Sequence, residues 1–519
     1  MKKRYTNTLA FIVACTLFNL AYGEPSNAIS SAMPFTSDVP KDIPNPSDPV
    51  QAANFAWREF VALTWPAAPN TSKTEGASPY LRGVPASTSK SGATGAGGVV
   101  VWETFYHRDE LYPSGGAANP DTLPDANALP NYLYNVCIFK ADKNTNLNLF
   151  NNLDEASEIN LATMYYTPLA EKVDALQKKY PSPNKQQMAE IASAQIQASL
   201  VYEAKANGII YDYIKTNNFN NPGPRREARY NAIKQIMNNP VSGKVFNFPT
   251  GALEVKATFR HYDPEADNLN EYHWTTAITY TKDDAGNLVA HNEKMLLVGL
   301  HIIQKTPNVP TFVFATFEHK SNEKNGFRFI NTNPQTAQVP SIQRKLPDPG
   351  IIAAKRQFAI PDYIATLNTQ AQAQLRAQST PDNVWANYQL IGVQAIVTDN
   401  PTSVVPPQQF FLSNFATETN DTLQFFQGGL GGANSNIPGP DTAHVFVLDP
   451  TTQKYVAHTS GGCLGCHGSQ GQFAGGDFSV IAATGNNFIP EAITPYPGGP
   501  VVPQNPQGFP LPHAVPPKP

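Results

Sequence analysis

The stretch from residue 244 to 331 constrains the fold most. Four runs rich in β-branched and aromatic residues follow one another there: Leu253 to Phe259, His273 to Tyr280, Met295 to Ile303 and Thr311 to Phe317. Turn-forming sequences divide them, with Asp283-Asp284-Ala285-Gly286-Asn287 after the second and Pro307-Asn308-Val309-Pro310 after the third. Strands joined this closely pair antiparallel, because a parallel pair needs a long crossover. No strand–helix–strand alternation appears along the chain. The pattern therefore predicts an α+β fold built on a large, mainly antiparallel β-sheet or sandwich.

Around this block other elements can be placed. Asp48 is a helix N-cap with Pro49 in the first turn, and the apolar positions Ala53, Phe55, Ala56, Phe60, Val61 and Leu63 continue a helix to Trp65-Pro66. Val99 to Trp102 and Tyr132 to Phe139 read as strands. Residues 184 to 207 read as one long helix and Arg225 to Met237 as another, giving a helical insertion at about 160–240. Pro361 to Ala377 reads as a helix and Tyr388 to Val397 as a strand. His444 to Leu448 with Tyr455 to Ala457 reads as a short hairpin. The expected organisation is a β-rich domain over 47–400 that contains the insertion. A C-terminal segment over 401–489 follows, then a Pro- and Gly-rich tail over 490–519.

The N-terminus reads as an export signal. Lys2, Lys3 and Arg4 precede the apolar run Leu9 to Ala21, and Ala21-Tyr22-Gly23 is a small-x-small cleavage site, giving a signal over 1–23 and a linker over 24–46. Ile12-Val13-Ala14-Cys15 offers the alternative of a lipid anchor on Cys15, but leaves an unusually short apolar run before the cut. No later run reaches the ~20 apolar residues of a membrane span. Cleavage after Gly23 removes three of the 37 Lys and Arg and none of the 41 Asp and Glu, so the mature chain is acidic. With no basic stripe, nucleic acid is excluded as a partner. Cysteine is scarce: Cys15, Cys137, Cys463 and Cys466. The apolar flank of Cys137 predicts a buried thiol on a strand.

Two of those cysteines carry the chemistry. Gly461-Gly462-Cys463-Leu464-Gly465-Cys466-His467-Gly468 contains Cys-x-x-Cys-His. Thiols three positions apart match the two vinyl groups on one edge of a haem, and the adjacent imidazole then lies under the iron. Flanking glycines let the backbone approach the macrocycle. A zinc half-site would need a second ligand pair, and a thioredoxin-like pair would need a preceding βαβ unit. A plain disulfide would leave His467 unexplained. Covalent haem attachment belongs outside the cytoplasm, which agrees with the export signal. The expectation is one covalent haem c on Cys463 and Cys466, with His467 as an axial iron ligand.

The run Cys463-Leu-Gly-Cys-His-Gly, followed by Gly475-Gly476-Asp477-Phe478-Ser479, resembles the C-terminal end of large secreted bacterial mono-haem c-type cytochrome-like proteins, a family of poorly defined function. Phe55-Ala-Trp-Arg-Glu-Phe-Val-Ala-Leu, Trp102-Glu-Thr-Phe, Ala315-Thr-Phe-Glu-His319 and Trp385-Ala-Asn-Tyr-Gln-Leu are similar in the same way. The chain departs from small electron-carrier cytochromes in that only 52 residues follow His467 and the last methionine is Met295, so no downstream Met serves as sixth ligand.

The distal candidates are His301 and His319, which flank the turn near Asn308. A hairpin closed there would set residue 301 opposite residue 315 and place residue 319 on the same face, ~13 Å farther along the strand. Glu318 then points to the other face. His458 lies close to Cys463 in sequence, and Trp102-Glu103 and Arg260-His261 are further polar groups in apolar text. The functional expectation is electron transfer in the bacterial periplasm with a redox partner protein. The alternative is a haem enzyme, peroxidase-like or oxygen-activating, with an open distal iron site and a small-molecule substrate.

Overall fold

The structure is a computed structural model. It describes residues 34–72, 74–87, 97–114, 127–141, 147–156, 162–331, 351–354, 359–378, 383–397, 444–459, 462–484 and 488–493, together with residues 123, 414, 416 and 417. The export signal, Cys15 and most of the C-terminal tail lie outside the described residues.

An eight-stranded sheet organises the chain, and we number its strands in chain order. They are β1 (Tyr106–His107), β2 (Ile138–Lys140), β3 (Leu200–Ala206), β4 (Leu253–His261), β5 (Trp274–Lys282), β6 (Leu288–Gln304), β7 (Val313–His319) and β8 (Tyr388–Gln394). The spatial order is β8-β7-β6-β4-β3-β1, and β2 and β5 pair with the first half of the long strand β6. All pairings are antiparallel except β2 with β6. The fold is therefore α+β around a large antiparallel sheet, as the hairpin spacing predicts.

Local chemistry accounts for the turns. Between β5 and β6 the Asp283 carboxylate accepts from the backbone N–H groups of Ala285 and Asn287, at 2.9 and 2.8 Å, and Gly286 takes a φ of 83°. Strand β6 is longer than its apolar core suggests. Its first half carries His291, Asn292, Glu293 and Lys294, whose polarity hides a strand that β5 pairs along its whole length.

Helices and loops cover both faces. On one face, helix α1 (Pro49–Leu63) places Trp57 and Phe60 against Phe317 of β7, with ring centroids 5.1 and 4.2 Å away. Asp48 caps α1 by accepting from Val50 and Gln51 N–H. The Trp57 indole N–H donates to Asn368 on helix α6 (Asp362–Gln378) at 2.9 Å. On the other face lie α4 (Gly208–Asn217) and α5 (Pro222–Ile236). One apolar core there joins Ala204, Ala206, Ile303 and Phe314 of the sheet to Ile210, Ile214 and Ala228 of these helices.

Several expectations need correction. The helix expected over 184–207 ends at Ala198, and β3 follows at Leu200–Ala206, inside the main sheet. The supposed helical insertion is thus split by a strand of the main sheet, with α2 (Thr167–Lys179) and α3 (Lys185–Ala198) before it and α4 and α5 after it. Trp102–Thr104 forms a 3-10 turn where a strand was expected. Of Tyr132 to Phe139 only Ile138 and Phe139 enter a strand, and Cys137 is exposed, not buried. Part of the expected linker packs: Ile43 is buried against Phe55 and Val309, and the Asn308 side-chain amide donates to Ile43 O. Ile493, within the expected tail, donates its N–H to Tyr280 O at 2.8 Å and is buried. Among the described residues, no helix is long and apolar enough to cross a membrane.

Candidate functional site

The Cys-x-x-Cys-His run forms a short helix, α7 (Gly462–His467), directly after a hairpin of His444–Leu448 and Tyr455–Thr459. Helical spacing sets Cys466 and His467 three and four residues after Cys463, so the three backbone positions share one side of the turn. Apolar burial docks this segment on the sheet. Leu464, Phe478, Ile481 and Ala482 enter the core formed with Phe314 and Ile303, and the half-buried Cys463 packs against its edge. Polar ties fix the orientation. Gln394 at the end of β8 accepts from Leu464 N–H at 3.0 Å, and Gln472 bonds both backbone groups of Phe446 in the hairpin.

The Gly475-to-Ser479 run holds the imidazole. Arg229 on α5 donates twice to Ala474 O, at 3.0 and 2.8 Å. Gly475 takes a φ of 76° at this contact, and a Cβ there would stand 2.3 Å from Arg229 O, so only glycine fits. Asp477 accepts from Lys305 Nζ at 2.7 Å and from Phe248 N–H at 3.0 Å. With both ends tied, the Phe478 carbonyl accepts from His467 Nδ1 at 2.7 Å. A carbonyl only accepts, so the proton sits on Nδ1 and Nε2 is left as the basic nitrogen. Burial pushes the His467 pKa down to about 4, against the Phe478 carbonyl, which favours the proton. The ring is tilted against Phe314, with centroids 4.8 Å apart.

The sheet register separates the two distal candidates. His301 lies opposite Thr316, one residue from the expected partner, Ala315. A slip of one residue exchanges faces. His301 therefore shares its face with Phe314, Thr316 and Glu318, and with Lys256 across the β4–β6 pair. This is the face that carries His467, which lies within electrostatic range of His301 and Lys256. His319 points to the opposite face. Its Nδ1 pairs with Ser321 Oγ at 2.6 Å and its Nε2 with Glu271 O at 3.0 Å, and the ring stacks on Tyr272 at 3.9 Å. Both nitrogens are engaged in holding the fold, and the structure brings only His301 of the pair towards His467.

Of the other polar groups singled out in the sequence, Glu103 and Arg260 are structural ties. Glu103 accepts from Val100 N–H and the Asn151 amide, at 2.8 and 2.9 Å. Arg260 makes a two-pronged pair with Asp267 at 2.6 and 2.7 Å. His458 is half-buried in the hairpin opposite Val445. Two residues beside the Gly475-to-Ser479 run escaped the sequence reading. Glu254 of β4 is buried, and burial pushes its pKa up to about 8, against the lowering influence of the Ser479 hydroxyl. Tyr112 is buried with no hydrogen-bond partner for its hydroxyl, and the Arg225 guanidinium lies 4.5 Å from its ring centroid. Glu254 sits in a strand where alternation gives no sign of a buried carboxyl.

The residues present fit a covalently held haem. One turn carries two cysteines and a histidine, and the second nitrogen of that histidine is fixed by a backbone carbonyl, the outer-shell bond metal-bound imidazoles commonly make. Among the described residues, no three His, Cys, Asp or Glu side chains gather into a metal-holding group of the kind a closed zinc site needs. The chain matches no protein-family model, no curated protein and no solved structure.

Proposed function

We propose that this chain is an exported c-type cytochrome that works in the bacterial periplasm. In this reading Cys463 and Cys466 hold one haem c, and His467 is an axial iron ligand. The single observation that carries the proposal is the His467 Nδ1–Phe478 carbonyl bond, which fixes the tautomer and aims Nε2 for ligation. The haem would supply one-electron chemistry. The chain's own residues orient His467 through the Asp477–Lys305 tie, pack Phe314 against its ring, and present His301 from the sheet as the candidate for the iron's other side.

Electron transfer with a partner protein is the role this arrangement supports best, because a second histidine stands on the same sheet face as the first. The test is the absorption and spin state of the purified ferric protein. A low-spin spectrum that resists cyanide, and that turns high-spin in His301→Ala, is the expected result. A high-spin spectrum that shifts readily with cyanide or peroxide in the unaltered protein would mean an open iron, and would move the assignment to a haem enzyme with a small-molecule substrate.

A further inference from the structure

The Glu254 carboxyl is anomalous by position. It belongs to β4, on the face carrying the haem-attachment segment, and is buried between Ala206 and Ile303 in neighbouring strands. One of its oxygens, Oε1, has no hydrogen-bond partner. The Ser479 hydroxyl acts on this carboxyl, and Ser479 directly follows the carbonyl that orients His467. Two positions along β4, about 7 Å away and on the same face, Lys256 lies opposite His301. Glu254 thus stands beside the attachment segment without belonging to its ligands.

We propose that Glu254 is the proton-accepting group coupled to the redox centre, binding a proton when the haem is reduced and releasing it when the haem is oxidised. This inference rests on the haem reading above. The step balances in charge. One electron arrives from a reducing partner protein, and one proton from solvent forms an O–H bond on the Glu254 carboxylate. Reoxidation passes the electron to an oxidising partner, breaks that O–H bond and returns the proton to solvent.

The surroundings favour this role. A carboxylate in a low-dielectric interior is costly unless positive charge stands near, so loss of one positive charge at the iron shifts Glu254 towards its neutral form. The attachment segment presents Ser479, whose hydroxyl favours the charged carboxylate, and Asp477, whose negative charge opposes ionisation. Asp477 is itself paired with Lys305, and Lys256 is paired with Glu155 at 3.0 Å. Tyr112 faces Glu254 within electrostatic range, and Arg225 and Arg229 of α5 act on Tyr112 in turn. Glu254 Oε1 and Tyr112 Oη are both buried without a hydrogen-bond partner.

The experiment uses the mature, haem-loaded protein, with covalent haem first established on the denatured chain; failure there overturns the haem reading itself. Midpoint potential is then measured against pH, through the range centred on about 8, for the unaltered protein and Glu254→Gln. The inference predicts a potential that falls as pH rises through this range, and a flat profile in the variant. A flat profile in the unaltered protein, or the same slope in both, overturns it. Should Glu254→Gln fail to load haem, redox-difference infrared spectra of the unaltered protein decide the matter. A protonated-carboxyl band gained on reduction supports the inference, and its absence overturns it.

Discussion

At the scale of single residues, one position of register decides which of the two histidines shares the sheet face with His467. The turn after β6 was placed correctly by Pro307-Asn308-Val309-Pro310, and both histidines were visible in the sequence. Their relative faces were not, because side-chain direction has period two and His301 pairs with Thr316 in place of Ala315. His319 instead stabilises the fold through Ser321 and the Glu271 carbonyl. Its replacement by Ala should cost about 2–4 kcal/mol, from two lost bonds and a cavity under Tyr272. Denaturant midpoints would show this loss while the iron spectrum stays unchanged; an altered spectrum would reverse the assignment of the two histidines. Burial also pushes the His319 pKa down to about 3. The unfolded chain takes up this proton near pH ~6.5 and the folded chain does not. The stability His319 contributes is therefore full above that pH and declines as pH falls towards 3. His319→Ala should have a flatter stability profile over that window.

At the scale of elements, the strand taken for a helix is buried on both sides. Strand β3 alternates Leu200, Tyr202, Ala204 and Ala206 on one face with Val201, Glu203 and Lys205 on the other, and all seven residues are buried. Alanine, glutamate and lysine are good helix formers, and a strand with charged residues facing inward shows none of the usual apolar alternation. The hairpins from β5 to β7 were legible because their turns carry Asp, Asn, Gly and Pro at the positions that need them. The Gly475-to-Ser479 run was noticed only as a resemblance, and its work of holding the Phe478 carbonyl against His467 emerges from contacts far away in sequence. Gly475→Ala should cost roughly 1–3 kcal/mol, from positive φ and the clash with Arg229 O. It should also lower the yield of covalent haem, read by haem stain on denaturing gels. Full haem loading at unchanged stability would show that this run does not position His467.

At the scale of the whole molecule, a sheet of mainly antiparallel strands is covered on one side by α1 and α6, and on the other by α4, α5, α7 and the segment after it. Long irregular stretches are tied down by buried polar groups: the Lys205 ammonium donates to the backbone carbonyls of Glu103 and Phe150. Such ties replace the regular elements that a low content of charged residues and many prolines discourage. The size of the chain is thus used to build a rigid bed on which a short C-terminal turn is held by its neighbours. The central claim is that this turn carries haem c covalently. It is tested most directly by the intact mass of the exported protein after denaturation and extraction of loose haem. The account predicts a mass increased by one haem and lost in the Cys463→Ala, Cys466→Ala double variant. An unmodified mass in the protein matured in a host competent for haem attachment would contradict it.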